Sequence, residues 1–159
     1  MPITRLGKGA LANLALGKTD ITAYCSTGAT MVVGCSTGTH SATSSYLTDP
    51  ATLGLSTMDS GYPTISAFTA TSTNVDLTFK ATFTACQANT DWREWGIYNA
   101  TASGTDGYLL NRYVPDDSIG TKSCAQSWAM TATISITTAW MLMAVGLPAM
   151  AAQVFGLMV

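Results

Sequence analysis

Asp91-Trp92-Arg93-Glu94-Trp95-Gly96-Ile97-Tyr98-Asn99-Ala100 is the stretch on which the reading of this chain turns. It carries two of the four tryptophans, three residues apart, around the only glutamate. Just before it, Val75, Leu77, Phe79, Ala81, Phe83 and Ala85 alternate with Asp76, Thr78, Lys80, Thr82 and Thr84. A period of two held over so long a run predicts a strand with one dry face and one wet face. Residues 87–91 are turn formers and interrupt it. The Trp-Glu-Trp segment then predicts a returning strand, so the two read as an antiparallel hairpin closed by a five-residue loop.

Downstream, residues 101–107 are a turn by every local signal, and residues 108–114 pair back as a strand. Residues 118–123 read as a loop. Residues 127–137 give the cleanest alternation in the chain, with Trp128, Met130, Ala132, Ile134 and Ile136 on one face and Thr131, Thr133, Ser135 and Thr137 on the other.

Upstream, residues 4–17 predict a short helix, N-capped by Thr4, lined by Leu6, Ala10, Leu11 and Leu14, and stopped at Gly17. Residues 21–25 predict a short strand and residues 29–35 a central one. Residues 36–45 read as a Ser/Thr/Gly loop, residues 46–60 as a long connection around Asp49-Pro50, and residues 64–70 as another strand. Six or seven antiparallel strands after one helix predict an all-β fold, an antiparallel β-sandwich of jelly-roll type. The expected division is an N-terminal helix or arm (1–20), a sandwich domain (21–138) and an apolar C-terminal arm (139–159).

Only 10% of the residues are charged and the net charge is −2. An average soluble domain carries about a quarter. Threonine, serine, alanine and glycine fill the space. Such a surface suits a chain packed against copies of itself or against neighbours. No Lys/Arg cluster is present to neutralise phosphates, so direct nucleic-acid binding is not expected.

The ordered set Met58-Asp59-Ser60-Gly61-Tyr62-Pro63, Leu77-Thr78-Phe79-Lys80-Ala81-Thr82-Phe83, Ala88-Asn89, Trp92, Glu94-Trp95-Gly96-Ile97-Tyr98-Asn99-Ala100, Leu109-Leu110-Asn111-Arg112, Gly120-Thr121-Lys122-Ser123 and Gln126-Ser127-Trp128 resembles a family of small virion structural proteins of tailed bacteriophages. The resemblance covers about residues 55–137. It implies a decoration, fibre or tail-associated protein of the particle. The segment after Thr138 departs from that pattern.

Glu94 and Arg112 sit inside apolar strands. A buried charge is costly unless paired, so a structural salt bridge is the expectation, preferred over a catalytic carboxylate beside a cation. Asp91, Asp106, Asp116 and Asp117 lie in turns and read as turn formers rather than partners in a glycosidase pair. The one histidine, His40, lies in a polar loop without an evident partner, so nucleophilic catalysis is not expected. Cys25, Cys35, Cys86 and Cys124 lack metal-ligand spacing; buried free thiols are the expectation, and any pairing is left open. No cofactor, metal or catalytic residue is expected.

Trp128 falls on a core face. Trp92 and Trp95 have opposite parity, so one of them is expected to face outward, as an interface anchor in preference to a sugar platform. Residues 139–159 carry no charge. Their length suits a membrane span, but Gly146-Leu147-Pro148 interrupts them and they lack flanking Lys or Arg. An assembly arm is preferred, with Trp140, Met141, Leu142, Met143, Leu147, Val154 and Phe155 as interface candidates.

Residues and resemblance together lead to one expectation: a non-enzymatic bacteriophage virion protein, first a capsid decoration or cement protein stabilising the shell. A tail-associated or fibre-base component is the alternative, and a carbohydrate-binding module using an exposed Trp is another. The expected partners are further copies of the chain, as a trimer or other homo-oligomer, and the major capsid protein or other virion proteins. The expected location is the virion, assembled in the host cytoplasm.

Overall fold

The computed structural model describes residues 3–137 apart from residues 18, 20, 21, 45, 49, 67–73 and 100–106. Among the described residues one helix, α1 (Arg5–Ala15), precedes nine strands: β1 (Thr30–Gly34), β2 (Pro50–Thr57), β3 (Thr64–Ile65), β4 (Asn74–Phe83), β5 (Asp91–Trp92), β6 (Glu94–Tyr98), β7 (Leu109–Tyr113), β8 (Gly120–Thr121) and β9 (Trp128–Thr137). They form a four-stranded sheet in the order β2-β1-β6-β7, a three-stranded sheet β3-β4-β9 and the two-stranded pair β5-β8. Every pairing is antiparallel.

The expected hairpin does not form. β4 pairs instead with β9, in an unbroken ladder from Asn74↔Thr137 to Phe83↔Trp128. The alternation that defined each strand tells which side chains share a face, not which strand lies alongside. β4 and β9 are equally long and have dry faces in step, so pairing them buries Val75, Phe79, Ala81 and Phe83 on the same side as Ala132 and Ile134. After Phe83 the chain turns through Cys86 and Ala88, both at positive φ (64° and 51°), and enters the other sheet.

The largest core cluster draws on both sheets: Met31 and Val33 of β1, Trp95 and Ile97 of β6 and Leu110 of β7 meet Phe79, Ala81, Phe83, Ala132 and Ile134. α1 packs on β7. The Thr4 hydroxyl accepts from Gly7 N at 2.9 Å, capping the helix, and donates to the Leu109 carbonyl, tying the cap to the sheet. A Cβ on Gly7 would stand 2.5 Å from the Leu110 carbonyl oxygen, so only glycine allows this approach. Gly7 and Ala10 are buried and Leu11 packs on the core, whereas Leu6, expected on that face, is exposed.

Three further expectations change. Residues 22–25 are not a strand. The supposed connection 46–60 contains an eight-residue strand, β2, antiparallel to β1. Its Pro50 sits at the first position, where a missing N–H costs no ladder bond. The strand expected over 64–70 is seen only as Thr64–Ile65, and residues 67–70 lie outside the described residues. No helix among the described residues is long and apolar enough to cross a membrane. The proposed arm, with Trp140, Met141, Leu142, Met143, Leu147, Val154 and Phe155, lies outside them, as does Asp106.

Candidate functional site

The most polar group of side chains in the interior lies on the outer face of the four-stranded sheet. Along β6, Glu94, Gly96 and Tyr98 share that face. Their β1 partners there are Gly34, Val32 and Thr30, and Arg112 of β7 lies opposite Gly96. Every residue of β6 is buried, so this face is covered as well. The cover is the loop between β1 and β2. Arg112 Nε donates to Glu94 Oε2 at 2.7 Å. Its Nη1 donates to the Thr39 carbonyl at 3.1 Å and its Nη2 to the Gly38 carbonyl at 3.0 Å. Glu94 Oε2 also accepts from Thr48 N at 3.2 Å, and the Tyr98 hydroxyl accepts from Leu47 N at 2.7 Å. The side chain of Leu47 packs with Val32, Tyr98 and Leu109.

Glu94 is 0% exposed and Arg112 2%. The expected salt bridge is therefore present and fully buried. Desolvating two ions is offset only when geometry and further hydrogen bonds are good, and here the guanidinium bonds to a carboxylate and two carbonyls. Burial, with the Glu94 carboxylate as a lesser contributor, pushes the Tyr98 hydroxyl up to about 12, so Tyr98 remains a neutral phenol. His40 lies in the same loop. Burial, and then the nearby Arg112 charge, hold its imidazole below the usual histidine range. Both of its ring nitrogens are buried without a partner.

Asp91 serves elsewhere. It accepts from Arg93 Nε at 2.6 Å and from the Ser118 hydroxyl, and these bonds hold its carboxyl below the usual range, the Ser118 bond foremost. Asp116 and Asp117 are exposed. Among the described residues no group of His, Cys, Asp and Glu could hold a metal ion.

The tryptophans depart from expectation. Neither faces outward: Trp92 is 2% exposed and Trp95 4%. The parity count assumed one continuous strand. The chain breaks at Arg93, whose N–H bonds to the Gly34 carbonyl, and Trp92 and Trp95 belong to separate strands that both aim inward. Trp92 meets Phe83 and Trp128 edge to face, with ring centroids 4.9 and 5.1 Å apart, and its indole N–H donates to the Ala88 carbonyl. Trp128, expected in the core, is half-buried. Trp92, Trp95 and Trp128 line an open groove of about 670 Å³, with Tyr113, Ile119 and residues of β9 completing its walls. None of its lining residues is charged, and none is an amide.

Two features were not anticipated. Cys86 and Cys124 form a disulfide, and neither is buried. Cys25 is exposed and Cys35 half-buried, so the expectation of buried free thiols fails. Beside the disulfide, Lys122 is buried; its Nζ donates to the carbonyls of Thr84 and Gln87, each at 2.9 Å, and to Asn89 Oδ1 at 3.3 Å. These oxygens satisfy all three ammonium protons. Lys122 and the disulfide together hold the turn that carries the chain from β4 toward β5. The available signal was that Lys122 is the last charged residue of the chain, but nothing local told a buried ammonium from a solvated one.

The arrangement binds loop to sheet and sheet to sheet, and its charged groups are consumed in doing so. Comparison with protein-family models, with characterised proteins and with solved structures finds no match to this chain.

Proposed function

We propose that the chain is a non-enzymatic structural protein of a tailed-phage particle, first a decoration protein that cements neighbouring shell subunits. The proposal includes the finer architecture: two antiparallel sheets packed as a sandwich, with residues 139–159 as an apolar arm toward neighbours. The observation that carries it is the closed ion pair. The only glutamate of the chain is fully buried and committed to Arg112 and a loop amide. A catalytic carboxylate must reach a substrate. This one rigidifies a scaffold, as a component under mechanical load requires. The uncharged run from residue 123 to residue 159 supports the same reading, because such a surface is best kept from water by contact with other subunits. Many weak apolar contacts, repeated over a shell, would give strong attachment through multivalency.

Copy number tests the proposal. In purified particles, a stained gel should show the chain at hundreds of copies. A handful of copies would move it to the tail, and absence from particles would overturn the virion reading.

A further inference from the structure

A β-strand at a sheet edge presents unpaired N–H and C=O groups, and stable proteins block such edges with prolines, charges or covering segments. Among the described residues, two of the four edges of the two larger sheets are covered. Beyond the short strand β3, the outer side of β4 is closed by hydrogen bonds. Asp59 N donates to the Lys80 carbonyl at 2.8 Å, Thr82 N to Asp59 Oδ1 at 2.9 Å, and Ser66 N to the Asp76 carbonyl at 2.9 Å. The outer side of β7 is met by Ile3, which bridges to Asn111, and by Thr4, whose N–H bonds to the Leu110 carbonyl at 2.9 Å. The edge strand β2 is a less regular template than β9: it is shorter, begins with a proline, contains Gly54 and pairs with β1 through an irregularity between Val32 and Gly34.

β9 is treated differently. Among the described residues its only strand neighbour is β4, and no other backbone hydrogen bond reaches it. It is ten residues long, with no proline, glycine or charge in Trp128–Thr137. Its inner face, at half-buried Trp128 and Met130, opens into the uncharged aromatic groove. A long, regular, uncharged edge next to an apolar groove is a template for another strand.

We propose that β9 is the self-association edge of this protein: a second copy docks its own β9 antiparallel on it, joining two three-stranded sheets into one. The match is built in. β9 offers a partner of its own length and period, and a two-fold axis satisfies both edges at once. Antiparallel docking also brings the end of the partner's β9 toward this copy's Trp128. The inference rests on the assembly reading for its purpose and on β9 for its geometry.

The test uses the full chain. Ser135 lies opposite Asp76 and Thr133 opposite Thr78 in the chain's own sheet, so Ser135→Lys and Thr133→Lys leave a carboxylate at hand within the monomer. Across a β9–β9 seam the same lysines bring like charges together. Sedimentation equilibrium from about 1 to 100 µM should show a wild-type dimer, and the double-lysine variant should dissociate at least tenfold more readily. Amide exchange of residues 128–137 in the wild type should slow as concentration rises, which settles the matter even if the variant folds poorly. A wild type that is monomeric across the range, a double-lysine variant that dimerises equally well, or β9 protection independent of concentration (the chain's own residues 138–159 covering the edge) would each overturn the inference. A β9 dimer that is absent from particles supports this inference and removes the particle reading. A solution monomer abundant in particles does the reverse.

Discussion

Arg112 reaches Glu94 diagonally. Its direct cross-strand neighbour is Gly96, yet its Nε lies 2.7 Å from Glu94 Oε2, two residues away along β6. Gly96 bears no side chain between them; a Cβ there would stand 2.9 Å from Leu47 Cδ1 and 2.7 Å from Leu109 Cδ1. The two leucines thus fill the place that the glycine leaves, and the ion pair is sealed beneath the loop.

Breaking this pair on one side should be costly. Glu94→Gln leaves a buried guanidinium without a carboxylate, and we expect a loss of about 3–5 kcal/mol in urea unfolding. Arg112→Met should cost a similar amount, and the double variant less than the sum of the two. Limited proteolysis should then cut the loop between β1 and β2 faster, because the Arg112 bonds to the Gly38 and Thr39 carbonyls are gone. Unchanged unfolding midpoints would mean that the pair contributes nothing to the fold.

The disulfide closes a separation of 38 residues. On the chain-entropy account, Cys86→Ser with Cys124→Ser should cost about 4 kcal/mol. Lys122→Met should add its own loss, since the carbonyls of Thr84 and Gln87 then lack their donor. Thermal melts of the single, paired and triple variants, with and without reductant, check both statements. A melt indifferent to reductant would argue against the bridge.

Acid should loosen the loop before it unfolds the domain. The His40 imidazole is held below its ordinary pKa of 6.5, chiefly by burial and then by Arg112. The neutral form is therefore favoured in the folded state, and the unfolded chain takes up the proton first as pH falls. The stabilisation is complete above about pH 6.5 and is lost as pH drops through the folded pKa. Asp91 acts in a lower window, because its carboxyl is held below its ordinary 3.8 and its contribution fades only under that value. We expect His40→Phe to flatten stability against pH just below about pH 6.5 and to leave the limb below pH 3.8, where Asp91 acts, unchanged.

Asn111 is 0% exposed, and both polar atoms of its side chain lack a partner. An unsatisfied buried amide costs about 1–3 kcal/mol, so Asn111→Leu, similar in shape, should raise stability by up to that amount. Chemical denaturation checks it. A destabilised variant would show that the amide has a partner in solution.

Residue order alone determined what is local. The Thr4 cap and the Gly17 stop follow from donors and acceptors within one turn. The two wet-and-dry faces of β4 and β9 follow from a period of two. That Glu94 and Arg112 need each other follows from the cost of burying either alone. Only the tertiary structure decided what depends on partners distant in the chain. β4 chose β9 over its expected neighbour because equal length and matching faces bury more than a short hairpin would. β2 emerged from a loop-like segment because β1 offered it a ladder. Both Trp92 and Trp95 turned inward because one irregular residue, Arg93, reset the parity. Cys86 met Cys124 because the end of β4 lies beside the start of β9. Periodicity fixes a side chain's direction relative to its own strand; what lies in that direction is set by packing, which no short window of sequence contains.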